Sequence, residues 1–307
     1  MTRRRILVPI DFQRQSDLAL EYAGHMATKL NAMISCIYVI EEQGLPFNNT
    51  AGEQTKHRIR REAENRLSER VNSILKHEEN IPFEIIITSG KVYQKVLEKS
   101  IDLNAQMIVM GKSKSTREGS SRIGSNARRI FAGSTVPVIA VSNSRIEKLK
   151  HLILPLDLEN RYSDQLIWAI ETALLLSASV SLIAVLEREL PGLRPVYLKK
   201  LTESKRLFSD NNIECNTHLL ENQTTVVREI LTFSEGIESG IILLMHPQKK
   251  KASSPFLGST ASEVLARAQV PVFLSNSMNK LRFTMDSSSQ SVQPIYPSRI
   301  PMKDHFI

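Results

Sequence analysis

An internal repeat governs everything else in this sequence. "RRRILVPIDF" at 3–12 returns as "LKHLILPLDL" at 149–158, and both read as apolar strands ending in Pro-x-Asp. "IGSNARRIFAGS" at 123–134 returns as "LGSTASEVLARA" at 257–268, and "STVPVIAVSNS" at 134–144 as "AQVPVFLSNS" at 268–277. A chain that repeats its landmarks in the same order is expected to build the same unit twice.

Between the landmarks each half alternates short apolar runs with amphipathic ones. In the first half the pattern predicts strands near 5–11, 33–40, 83–88, 105–110 and 136–142, with helices near 16–30, 55–77, 91–103 and 125–132. Ile59, Ala63, Leu67, Val71 and Leu75 recur every fourth residue, an apolar stripe on one helix face. The second half predicts strands near 152–157, 179–186, 213–220, 240–245 and 270–275, with helices near 163–177, 192–211, 224–236 and 259–268. Strand–helix alternation means an α/β fold with a doubly wound parallel sheet in each half. Such sheets bind ligands at the carboxyl ends of their strands, where Pro9-x-Asp11, Pro155-x-Asp157 and Met110-Gly111 fall. The expected domains are 1–146 and 147–277. A tail at 278–307, with a Ser/Gln run and three prolines, has no periodicity of its own.

Composition narrows the function classes. No apolar run approaches the ~20 residues that cross a bilayer. The basic and then apolar N-terminus is too short for a targeting segment and is broken by Asp11. Cys36 and Cys215 stand far apart, which suggests a reducing compartment, and the expected location is cytoplasmic. A formal charge of +8 favours anionic partners without choosing among them. "RRR" at 3–5 and "KKK" at 249–251 come with no aromatic platform, so nucleic acid is not the expected partner.

These landmarks together resemble the universal stress protein family, as a tandem of two domains. The match rests on "VPID" closing the first strand, "GSNARRIFAGSTVPVIAV" after the fourth, and the recurrence of both. The resemblance implies five-stranded sheets of order 3-2-1-4-5. It also implies pairing through strand five, here between the two halves of one chain as an intramolecular pseudo-dimer; a homodimer of whole chains stays open. Some members bind ATP and others do not, and the family's general role is in surviving stress. In nucleotide-binding members, residues matching Pro9, Asp11 and Val39 surround the adenosine.

The family's phosphate loop has Gly, Gly three residues on, and Gly-Ser ten beyond that. Met110-Gly111 and Gly124-Ser125-Asn126 fit, while Lys114 stands at the middle glycine. Glycines let backbone amides approach phosphate closely, and the helix beginning at Gly124 offers free amides and the positive end of its dipole. Lys114 removes conformational freedom but adds an ammonium for a charge-assisted bond. Lys112, Arg117 and Arg122 are expected to add to the local positive field. In the second half His246 takes the place of the first glycine, 12 residues before Gly258, and Pro247 removes an amide. ATP or another adenine nucleotide, with or without Mg²⁺, is therefore expected in the first half only.

Other chemistry finds little support. Cys215 and His218 lie three apart on one predicted strand and face opposite sides, against joint metal ligation. No nucleophile–base pattern is present, and Glu118 is the one carboxylate within the loop, so efficient ATP hydrolysis is not expected. The expected function is a nucleotide-binding stress regulator or sensor. The alternative is a nucleotide-independent interaction protein of the same fold, with a protein partner.

Overall fold

The parallel strands nearest the middle of each sheet are apolar on both faces, and that is what buries them. Ile6, Leu7 and Val8 in β1 (Arg4–Pro9) and Leu152, Ile153 and Leu154 in β6 (His151–Pro155) are all almost fully buried. The computed structural model describes residues 3–41, 53–76, 81–112, 123–142, 149–160, 162–186, 191–221, 224–246 and 257–276. The predicted tail at 278–307 lies outside the described residues.

In the first repeat β1 is followed by α1 (Arg14–Leu30), β2 (Ala32–Ile40), α2 (Glu53–Leu75), β3 (Phe83–Ser89), α3 (Val92–Asp102), β4 (Met107–Gly111), α4 (Ser125–Gly133) and β5 (Val138–Val141). All four neighbour pairs are parallel, in the order β3-β2-β1-β4-β5. Helix α1 packs on α2, and α3 on α4, as a doubly wound sheet requires. Leu67, Val71 and Leu75 of the predicted stripe are buried, with Ile59 and Ala63 half-buried at the outer end of α2.

The second repeat continues from β6 through α5 (Ser163–Leu176), β7 (Ser179–Leu186), α6 (Arg194–Asp210), β8 (Cys215–Glu221), α7 (Val226–Glu235), β9 (Gly240–His246), α8 (Ser259–Arg267) and β10 (Val272–Asn276). Strands β8-β7-β6-β9 pair in parallel and reproduce the 3-2-1-4 part of the order. Strand β10 pairs antiparallel with β5, Phe273 opposite Ile139, which is the strand-five pairing of the two repeats.

Contacts divide the chain into two compact units, and the division departs from the repeat boundary. The first unit takes the described residues up to Ser142 and those from Met245 onward, the second Leu149 to Leu244. Helix α8 and strand β10 thus count with the first repeat, because β10 extends its sheet through β5. Among the described residues no helix is long and apolar enough to cross a membrane.

Strand register fixes which residues correspond. Arg5 pairs with Met33 and His151 with Ser179, so Ser35 and Ser181 are counterparts, and so are their partners Glu84 and Asn216. The first repeat places an ion pair here: Arg5 meets Glu84, which also accepts the Ser35 hydroxyl at 2.6 Å. The second repeat has the neutral version. His151 Nδ1 lies 2.6 Å from Ser179 Oγ and Nε2 lies 2.8 Å from Ser181 Oγ. Burial lowers the His151 pKa from 6.5, Glu214 opposes that shift and His218 adds to it. His218, packed on Phe233 at 4.7 Å, is lowered by burial too.

A histidine whose folded-state pKa lies below its unfolded value binds fewer protons when folded, so stability falls as pH drops below about 6.5. Urea unfolding at about pH 7.5 and about pH 5.5 should show this loss, worth about 1.4 kcal/mol per unit of pKa displacement. The loss should be smaller in His151→Gln. Equal losses in both proteins would contradict the assignment to His151.

Candidate functional site

The order 3-2-1-4-5 reverses direction between β1 and β4, which pair directly. Open α/β sheets place ligands at that reversal, outside the carboxyl ends of the strands. Pro9 ends β1 and Gly111 ends β4, so the Asp11 turn and the start of the glycine loop come to this one mouth. Val39, one residue from the end of the neighbouring β2, and Met110 are at the same end, with side chains buried in the core.

The β1–α1 turn is tied by its own side chains. The Gln13 amide donates to Asp11 Oδ1 at 3.0 Å, the Asp11 amide to Ser16 Oγ at 3.3 Å, and Ser16 Oγ to the Gln13 carbonyl at 2.8 Å. The Asp11 residue stays exposed. Phe12 sits at φ 61°, the left-handed region that suits an aromatic residue poorly. Its ring is held by Tyr38, centroids 4.9 Å apart, and by the Arg66 guanidinium 4.2 Å from the ring centroid. Tertiary contacts thus hold a turn that propensity alone would not choose.

Gly111 is fixed by a close approach. A Cβ at this position would lie 2.3 Å from the Gln15 carbonyl oxygen, in the first turn of α1. No side chain fits there unless the helix start moves. Backbone conformation does not require glycine at 124. As N-cap of α4 it has φ −55° and ψ 151°, a conformation open to any residue, and it makes no side-chain cap. The first turn of α4 at Ser125 and Asn126 has amides with no intrahelical acceptor, as every helix start does. Lys114, Arg117, Glu118 and Arg122 lie outside the described residues.

Lys112 departs from the sequence expectation. It does not add to the field of the loop: it is 5% exposed, and its Nζ donates to the Leu265 and Ala268 carbonyls, each at 2.7 Å. These carbonyls end α8, where the helix dipole is negative. Ser142 Oγ donates to the Ala268 carbonyl as well, at 3.2 Å.

Register also corrects the second loop. Ile6 pairs with Met107 and its counterpart Leu152 with Ile241, so the residue matching Gly111 is Met245, not His246. His246 matches Lys112. The interval from Met245 to Gly258 is then 13 residues, as in the first repeat. Gly258 repeats Gly124 in conformation, at φ −54° and ψ 155°. The spacing signal was present in the sequence, since the Gly258-Ser259 and Pro271-Val272 landmarks count back to Met245.

The two Pro-x-Asp turns differ in what their carboxylates do. Asp157 accepts the Glu159 amide, the Asn160 amide and, at 2.6 Å, Asn160 Nδ2. Helix α6 ties the same turn down: Lys200 Nζ donates to the Leu158 carbonyl at 2.6 Å and Tyr197 to Glu159 at 3.0 Å. Leu158, the counterpart of Phe12, is buried. Among the described residues Asp11 accepts one amide bond, from Gln13, and keeps acceptor capacity toward solvent.

Other candidates are structural. Burial pushes the Cys215 thiol up to about 12, away from thiolate chemistry. Burial also raises the Cys36 thiol, with Glu84 adding to the effect. An open basin of about 450 Å³ lies along α2, lined by Phe12, Arg66, Glu69, Arg70 and Ser73. It includes none of Gly111, Gly124 or Ser125, and Arg70 there is already paired with Asp17.

Residues 2–142 match the Universal stress protein family. Among solved structures the chain is similar to a universal stress protein from Archaeoglobus fulgidus DSM 4304, with 22% identity, a TM-score of 0.69, and 89% of this chain and 96% of that one covered. It is also similar to a functionally unknown protein from Pseudomonas aeruginosa PAO1, with 14% identity, a TM-score of 0.65, and 90% and 93% covered. At these identities the likeness establishes the fold. No curated protein matches the chain.

The two glycines should respond differently to alanine. Gly111→Ala should lose about 1–3 kcal/mol, the cost of overpacking against a backbone that cannot yield. Gly124→Ala should lose under about 1 kcal/mol, since its conformation suits any residue. Thermal or urea unfolding measures both. Equal losses would contradict the close approach at Gly111.

Proposed function

Because residues 2–142 belong to the universal stress protein family, we propose that this chain binds an adenine nucleotide, ATP, in its first repeat and acts as a regulator or sensor in a stress response. Family membership supports the stress role. The observation that carries the nucleotide reading is that the exposed Asp11 turn and Gly111 share the carboxyl ends of the paired strands β1 and β4. Asp11 and Pro9 would face the base and ribose beside Val39. Met110-Gly111 and the first turn of α4, Gly124-Ser125-Asn126, would meet the phosphates, with Lys114 beside them in the place of the loop's middle glycine.

The second repeat is read as a partner without a standard site. Met245 stands where Gly111 would be needed, and the Asp157 carboxylate accepts three bonds within its own turn. Hydrolysis is expected to be slow, because the sequence carries no nucleophile–base pattern and Glu118 is the one carboxylate of the loop. The expected setting is the cytoplasm.

Native mass spectrometry of the purified protein with millimolar ATP and Mg²⁺ tests this reading. The expected result is one nucleotide per chain, lost in Gly124→Val and held more tightly in Lys114→Gly. Absence of bound nucleotide, or binding indifferent to both substitutions, would overturn it and favour the nucleotide-independent interaction protein.

A further inference from the structure

We propose that Lys112 couples nucleotide occupancy of the first repeat to the docking of α8 and β10 on that repeat, so that each stabilises the other. This inference rests on the nucleotide reading above and names how that site would be regulated.

Lys112 is the residue after Gly111, and its two ends are held by different parts of the chain. Its amide donates to the Val141 carbonyl at 2.9 Å, extending the β4–β5 pairing. Its ammonium, almost wholly buried, donates at 2.7 Å to the carbonyls of Leu265 and Ala268. A buried cation with two short carbonyl bonds is held where the α8 dipole is most negative. The same carbonyl end is held by Ser142, just beyond β5, and three strand-register pairs join β5 to β10.

The link has two stiff neighbours. On one side Gly111 is wedged against the Gln15 backbone, so the β4 end cannot shift without moving the first turn of α1. On the other, Ala268 closes α8 through its amide bond to the Val264 carbonyl at 2.8 Å. Lys112 therefore connects the glycine at the phosphate mouth to the end of α8 by one side chain.

Electrostatics sets the sign. Without the ammonium, the α8 carboxyl end would bring uncompensated carbonyls to a strand end that is to hold polyphosphate. With it, that negative end is neutralised, and an anion at Gly111 and Gly124 meets a more favourable field. An anion that favours the docked state must, by linkage, be favoured by it in turn.

Hydrogen exchange of the full chain, with and without millimolar ATP and Mg²⁺, reads the coupling in the amides of α8 and β10, while native mass spectrometry reads binding in the same samples. The proposal expects exchange there to slow by roughly fivefold or more, the lower end of the range for coupled sites. The slowing should be lost in Lys112→Met. Lys112→Arg, which keeps the charge, should retain it in part. Bound ATP with unchanged α8 and β10 exchange in the unsubstituted protein would overturn the coupling and leave the nucleotide site standing. Slowing that persists in Lys112→Met would overturn the role of Lys112. Absence of bound ATP would overturn the nucleotide reading and this inference with it.

Discussion

The backbone of Gln15 lies so close to Gly111 that the end of β4 has no room for even a methyl group. Much of the first repeat's character follows from that contact. It sets the first turn of α1 against the strand that opens the glycine loop, and it places the turn bearing Asp11 at the same mouth. The residue matching Arg14 in the second repeat is Asn160, yet α5 begins three residues later, at Ser163. The position matching Gly111 there carries Met245.

The same strand end is where two copies of one unit diverge in structure. Lys112 turns away from the loop and closes α8, while β10 lengthens the first repeat's sheet through β5. The second repeat thus lends its last helix and strand to the first. Its own Pro-x-Asp turn is closed by Asn160 and clamped by Lys200 and Tyr197 from α6. The ion pair of Arg5 and Glu84 is likewise replaced by a histidine held between two serines. Duplicated units preserve register more faithfully than chemistry, because register is fixed by a whole strand and chemistry by single side chains.

Much of this was legible in the sequence. Among the described residues ten strands and eight α-helices stand near where apolar periodicity places them, since parallel strands buried on both faces and amphipathic helices leave strong patterns. What escaped depends on distant residues. A lysine after a glycine reads as a phosphate cation, and its burial is decided by carbonyls more than 150 residues away. Phe12 carries no signal for a left-handed conformation; Tyr38 and Arg66 hold it there. By sequence His246 reads as the counterpart of Gly111, one residue late, because its chemistry stands out and that of Met245 does not, whereas strand pairing counts residues without regard to their chemistry.

The proposed function is asymmetric: one repeat would offer a nucleotide site and the other structural support. Photolabelling with an azido-adenine nucleotide, followed by peptide mapping, tests it most directly. The account predicts label in the peptides around Pro9–Gln13, Val39 and Gly111–Asn126, protected by excess ATP. Equal protected labelling of the peptides around Asp157 and Gly258, or no protected labelling at all, would contradict it.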